Sequence, residues 1–436
     1  MRFVSGNPPR LAVRAEYRLA NVGNAPLHSI GIELPGENSF GRANLHAEID
    51  NKEVAMQHNP LEPADNWRIS LPAAWRQKEK INLVLSYDLA ARAATDPRIF
   101  AAANAFYLND SGWFPQFQEP KAFFAADIVR PNPTDLAVTV PADFRVTASG
   151  QLRGAKKQNG ESEYRFRIRK ADFDPYVVAG QYNEQRVSTS NGTVVFWTSK
   201  TIPAAQAQQT ARQIAAAEKF YSQNFGPLPR TVKEIYDIQP PEESSEGNIS
   251  WERLEGSLLP GVVFDAMSGF SGPTELGNTW FGHMIRPRAE AWMFDFVLAA
   301  YASDLWDQGN GAGTSRADAI GSDLSDYDGT RGHAVEKPII SLTPSDSKDQ
   351  LRLGGDKLEL FLFALEDKCG QQNVTHAIAH MVYALRGQQY GYSDFRAALE
   401  QECHQNLSNF FDVWLRQKGI PDDFRARYEN ASGAKN

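Results

Sequence analysis

The sequence predicts an α+β chain: an antiparallel β domain over residues 1–183, then a second domain, residues 184–436, that turns helical from about residue 271. Three observations carry this prediction. Up to about Tyr182, short segments alternate apolar and polar residues between Asn-, Gly- and Pro-containing breaks, the pattern of strands with one solvated face. Past residue 183 the composition shifts to an Ala/Gln-rich stretch of good helix formers. After about Ser271 the strand signals cease and apolar residues recur at helical spacing.

The expected strands are LAVRAEYRLAN, LHSIGIELP, INLVLSYDL, DLAVTVP, FRVTASGQL, YRFRIRK and YVVAGQY, with TVVFWTS closing the series at Thr193 to Ser199. AAQAQQTARQIAAAEKFYSQNFG reads as a long helix stopped at Gly226-Pro227. A further strand pair, TVKEIYDI and GSLLPGVVF, flanks the polar loop PPEESSEGN. Helical patterns follow in TELGNTWFGHMI, EAWMFDFVLAAYASDLW, KLELFLFALEDKCG, VTHAIAHMVYALRGQQ, YSDFRAALEQECH and LSNFFDVWLRQKG. The Gly-rich, acidic segment Gly309 to Gly329 and the polar LTPSDSKDQ read as surface loops between helices.

Composition narrows the function classes. The 436 residues suit about two or three domains at roughly 150 residues each. The apolar run FVLAAYA, Phe296 to Ala302, is far shorter than a membrane span requires, so no membrane insertion is expected. A net charge of −8 argues against nucleic acid as a partner, because phosphate recognition requires a basic face. Cys369 and Cys403 make neither a zinc ribbon nor a disulfide framework, and their pairing stays open at this stage. The chain contains no GxSxG elbow, P-loop or dinucleotide fingerprint.

Taken in order, GWFPQF (Gly112 to Phe117), VTVPADFRVTASG (Val138 to Gly150), YVVAGQY, the WFG at Trp280, YSDFRAALE and NFFDVWLRQKGIP resemble the aminopeptidase N and leukotriene A4 hydrolase type of gluzincin metallopeptidase across nearly the whole chain. The resemblance implies a saddle-like N-terminal antiparallel β domain and a thermolysin-like α+β domain ending in helices. It also implies an HExxH zinc helix whose tail is WFG. In such a helix two histidines at i and i+4 present imidazoles to one zinc, the intervening Glu acts as general base, and a Glu on the next helix completes the set.

Matching WFG puts Thr274 and Asn278 in the histidine positions and leaves Glu275 in the general-base position. The third ligand would fall at Phe296 or Val297, with Asp295 the weaker candidate nearby. A Thr hydroxyl and an Asn carbonyl are poor zinc ligands, so no metal is expected, and zinc is the cofactor only if the match misplaces the ligands. The family's amine-binding Gly-x-Met-Glu-Asn strand has no clean equivalent in WERLEGSLLPGVVF, where Glu252 and Glu255 are the candidates. The tyrosine that would stabilise an oxyanion is missing from LRLGGDKLEL, which reads as the lead-in to a helix.

Plainer roles stand beside these. Glu275, just after Pro273, suits a helix start whatever the site does, because a carboxylate there opposes the positive end of the dipole. Trp280, four residues from both Leu276 and Met284, has core spacing. His283 falls on another side of the helix and does not replace a ligand, while His376 and His380 have i, i+4 spacing but Ala377 where a hydrolytic motif carries Glu. The expected function is a zinc-free pseudo-peptidase binding a peptide or protein in a cleft between its domains. Two alternatives are kept: an active, divergent zinc metallo-aminopeptidase, and a structural interaction domain of a longer secreted or membrane-anchored chain, which would place it outside the cytoplasm.

Overall fold

The computed structural model describes residues 1–6, 9–34, 40–58, 66–91, 99–101, 104–108, 113–118, 128–129, 135–168, 176–198, 200–228, 232, 234–238, 261–264, 272–310, 315–343 and 346–432. The chain forms two compact units, residues 1–185, 196–202 and 238–259 in one, and residues 186–195, 203–237 and 260–436 in the other.

The first unit is built from strands, as the alternation predicts. Its largest sheet orders Gln151–Gln158, Glu161–Arg167, Asp135–Pro141, Arg2–Val4, Arg10–Ala20, Lys80–Ala91, Phe40–Ile49 and Lys52–Glu53 side by side. Arg10–Ala20 and Lys80–Ala91 pair antiparallel over their full length, from Arg10 opposite Ala90 to Ala20 opposite Lys80. Period-2 geometry sends Ile81, Leu83, Leu85, Tyr87 and Leu89 inward, all buried, and leaves the intervening residues toward solvent. Two apolar clusters result, one around Phe3, Phe106, Phe144 and Val177, the other around Ile32, Ile69, Leu83 and Phe117. Arg2–Val4 is joined parallel to Asp135–Pro141, a long-range pairing that the local pattern does not encode.

The second unit contains the long helix predicted after residue 203. It is α1, Ala204–Phe225, with Ala207, Ala211, Ile214, Tyr221 and Phe225 on its buried stripe, and it stops where Gly226 takes a φ of +94°, open to glycine without strain. Glu234–Ile238 and Val262–Phe264 are neighbouring strands, the described part of the predicted pair TVKEIYDI and GSLLPGVVF. Then come α2 (Gly272–Asn278), a π-helical turn (Thr279–Met284) and α3 (Phe294–Asn310).

One expected loop and one expected lead-in are helical instead. The acidic, Gly-rich segment read as a connector contains α4, Arg316–Arg331. Ala319, Ile320, Leu324 and Tyr327 form a buried face at i, i+1, i+5 and i+8, which the surrounding Asp and Gly residues hide from a composition-based reading. Ser315 caps its first turn by accepting the Asp318 N–H. Next, α5 runs Lys348–Cys369, so LRLGGDKLEL lies inside a helix and not before one. Ser347 and Gln350 start it as a reciprocal capping box, with N···O distances of 3.3 and 3.2 Å.

Helices α6 (Gln371–Ala384), α7 (Tyr392–Cys403), α8 (Ser408–Phe411) and α9 (Asp422–Ser432) complete the unit. Phe361 of α5 sits among Phe294, Phe410, Phe411 and Trp414. Arg316 joins α4, α5 and α9, donating to Glu366 Oε2 at 2.6 Å, Asp367 Oδ1 at 2.8 Å and the Tyr428 hydroxyl at 2.7 Å. Tyr301 of α3 donates to the other Glu366 oxygen at 2.6 Å, so this buried carboxylate is held from two sides. Cys369 and Cys403, the last residues of α5 and α7, form a disulfide, which settles the pairing left open by the sequence.

Helices α3, α4 and α5 also bring carboxylates together. Burial, reinforced by neighbouring Asp307 and Glu366, pushes Asp304 up to about 7. Burial and the charges of Asp304, Asp356 and Asp326 push Asp323 to about 8. Asp356 rises to about 6 through burial, against the pull of Arg352, and Glu359 is raised by burial and the same acidic neighbours. Each group binds its proton more tightly folded than unfolded, where carboxyls titrate near 4. The folded state therefore holds extra protons between about pH 4 and 8, and stability is expected to decline as pH rises from about 4 and to level off above about 8. Denaturant midpoints across this range test it: Asp323→Asn should flatten the decline, and a pH-independent midpoint would refute it.

Candidate active-site helix and its surroundings

The segment TELGNTWFG folds as α2 followed directly by the π turn, and every residue from Glu275 to Met284 is buried. Close approach explains the small residue in its middle: a Cβ on Gly277 would stand 3.4 Å from the Cα, Cβ and O of Ala299, so α2 lies nearly backbone to backbone on α3. The π turn is anchored from two directions. The indole N–H of Trp280 donates to the Gly226 carbonyl at 2.7 Å, and the Thr279 hydroxyl accepts from the Gly261 N–H at 3.1 Å. Trp280 packs edge-on to Tyr221 and Phe281 edge-on to Phe225, both of α1. Trp280 thus fills the core, as its spacing predicts.

Around this anchor the chain positions the predicted site residues. Thr274 is half-buried, while Glu275 and Asn278 are 2% and 1% exposed. Glu275 stands in the first turn of α2, where N–H groups point toward a carboxylate. The Asn278 amide oxygen accepts no hydrogen bond among the described residues. At the start of α3, Asp295 accepts the Phe296 N–H at 2.7 Å, Phe296 is 48% exposed and Val297 is fully buried. Trp292 directs its indole N–H to the Leu342 carbonyl at 3.2 Å.

This donor set does not suit zinc. Of Thr274, Asn278 and the third position, Phe296 or Val297, none is an imidazole, thiolate or carboxylate, and Asp295, the weaker third candidate, is a single carboxylate. No three His, Cys, Asp or Glu side chains are placed to hold a metal among the described residues. His376 and His380 are exposed on α6 with Ala377 buried between them, and His283 is buried within the π turn. Glu252 and Glu255 lie outside the described residues.

Two buried polar groups of the second unit have no counterpart in the sequence-based expectations. Lys357 is 1% exposed, its ammonium donating to the Gln417 carbonyl at 2.6 Å and lying 3.6 Å from Glu336. Burial lowers its pKa, and Glu336 opposes that shift. Tyr390 is fully buried, its hydroxyl unpartnered among the described residues; burial first, then the charge of Asp295, raises it well above an ordinary phenol. Neither residue has a local signature, because Lys357 is marked only by a surrounding apolar helix and Tyr390 only by its tertiary neighbours.

No known family profile matches the chain, and no curated protein matches it. Solved structures do. An M1 zinc metallopeptidase from Deinococcus radiodurans superposes with a TM-score of 0.65 at 17% identity, covering 97% of this chain and 92% of that one. A variant of that enzyme bound to a Tyr-Ser-Ala substrate gives 0.65 at 17%, covering 97% and 93%. Yeast LTA4 hydrolase in complex with bestatin gives 0.64 at 13%, covering 97% of this chain and 67% of its own. The chain therefore has the M1 peptidase fold, with an N-terminal antiparallel β-rich domain and a helical C-terminal region, as the ordered motifs imply. At these identities the likeness concerns architecture alone, and chemistry has to be argued from the site.

Proposed function

We propose that this protein is a pseudo-peptidase, an M1-type scaffold that binds peptide or protein segments without hydrolysing them. The observation that carries this reading is the donor set: on the WFG match, Thr274, Asn278 and Phe296 or Val297 fall at the three ligand positions, with Asp295 the weaker third candidate. Without a bound cation to lower the pKa of water, Glu275 has no activated nucleophile to serve, and a lone carboxylate is a weak base toward bulk water.

Dialysis against zinc followed by elemental analysis is expected to leave substoichiometric metal. Aminoacyl p-nitroanilides are expected to remain intact, and Glu275→Gln to change nothing in that assay. The tripeptide Tyr-Ser-Ala, a substrate in one neighbour, should bind in calorimetry and be recovered uncut. One zinc per chain, with turnover abolished by a chelator and by Glu275→Gln, would overturn the proposal in favour of a divergent aminopeptidase. Absence of any peptide binding would favour a purely structural interaction domain.

A further inference from the structure

Helix α6 carries a pair of groups that the reading of α2 does not use. Within Gln371–Ala384 there is no Asp, Glu, Lys or Arg, although the solvent face of a helix is where charge is usually found. Packing fixes which side meets water. Val374, Ala377, Ile378, Met381 and Val382 are buried at i, i+3, i+4, i+7 and i+8, and this leaves His376, His380 and Tyr383 exposed. The ionisable groups of that face are thus two imidazoles and a phenol.

His376 and His380 make no hydrogen bond, ion pair or ring contact among the described residues. Their spacing puts them side by side. Four residues advance a helix by about 6 Å and turn it about 40° past a full circle, so their Cβ atoms stand roughly 5–6 Å apart. Two imidazoles so placed can each turn a ring nitrogen to one ion, at metal–nitrogen distances of about 2.0–2.1 Å. The helix beneath them is tied at both ends. Asn373 donates to the Cys369 carbonyl at 2.8 Å, and Cys369 is itself bridged to Cys403 of α7. Past the pair, the Leu385 N–H closes onto the Met381 carbonyl at 2.9 Å.

We propose that His376 and His380 form a two-histidine chelate for a borderline transition-metal ion, copper(II) above all, on the exposed face of α6. Ligand chemistry selects the ion. Imidazole suits copper, nickel and zinc, affinity peaks at copper along the first-row divalent series, and copper(II) takes tetragonal nitrogen and oxygen coordination. The imidazoles supply two nitrogens, and water or an incoming oxygen ligand completes the coordination. Calcium and magnesium, which take oxygen ligands, are disfavoured. Ala377 stands where a hydrolytic helix carries its carboxylate between the histidines, so the chelate is a binding site and not a second hydrolytic centre.

Copper(II) chloride titrated into the intact protein in a non-coordinating buffer, followed by electron paramagnetic resonance, tests the site. The first equivalent is expected to bind with coupling to two imidazole nitrogens. Outer-shell partners of metal ligands are alone worth roughly 10–100-fold in affinity, so His376→Ala or His380→Ala, each removing a ligand, should weaken binding about tenfold or more. Far-UV circular dichroism of both variants should match the wild type, since the two side chains are exposed. Copper should also raise the denaturant midpoint of the wild type more than that of either variant, because the ion binds a geometry that only the folded helix offers. Binding that is equally tight in wild type and both variants, or no binding of the first equivalent, would overturn the proposal. Zinc left by dialysis that His380→Ala removes would belong to α6 and support it; the reading of α2 stands or falls on zinc that survives this substitution.

Discussion

Trp280→Ala is expected to destabilise the protein by about 3–5 kcal/mol, the range for deleting a fully buried aromatic side chain. Trp280 is completely buried, and its ring connects α1, through Tyr221, to the π turn. Truncation would leave a cavity bounded by a rigid helix face and would also strand the Gly226 carbonyl, which accepts the indole N–H at the end of α1. Trp280→Phe separates the two contributions. It keeps most of the packing and removes the hydrogen bond, so about 1–3 kcal/mol should be lost. Denaturant unfolding measures both, and a loss below about 1 kcal/mol for the alanine variant would show that the turn is not held through this residue.

Opening the disulfide is the other large effect. Cys369 and Cys403 are separated by 34 positions, and closing a loop of that length restricts the unfolded chain by about 4 kcal/mol in the chain-entropy treatment. The folded side is well supported: Gly370 and His404, the residues just after each cysteine, take φ values of +84° and +52° that end α5 and α7 there. Cys369→Ser/Cys403→Ser should lower the unfolding midpoint accordingly, and a reductant should bring the wild type to the same midpoint. Two titratable thiols per chain in the denatured, unreduced protein would contradict the bridge.

Much of the architecture is readable from local pattern, and the exceptions share a physical cause. Strands such as Arg10–Ala20 and Lys80–Ala91 alternate because one face is buried, and α1 announces itself through propensity and its stop at Gly226. Helix α4 escapes because Gly and Asp are poor helix formers in isolation; Asp318, Asp326, Asp328 and Gly329 lie on its solvent face, while packing against α5 stabilises the helix. Glycines 354 and 355 mislead in the same way, being buried inside α5. At the candidate site, the residue types in the ligand positions can be read from sequence. Their burial, the carboxylate cluster of α3, α4 and α5, and the buried Lys357 arise only when distant helices meet. The π turn is hidden too, since Leu276, Trp280 and Met284 keep a spacing that an α-helix would equally satisfy.

The π turn makes the site a question of phase. Bonding from i to i+5 accommodates one residue more per turn than an α-helix, so Thr279–Met284 takes up a residue that a regular helix would place elsewhere around its axis. Removing one residue from this segment and letting it close as α-helix would swing α2, with Thr274, Glu275 and Asn278, by about 100° relative to the chain that follows the turn. The turn acts as a rotary offset, and the side chains that α2 presents to α3 depend on it as much as on their own identities.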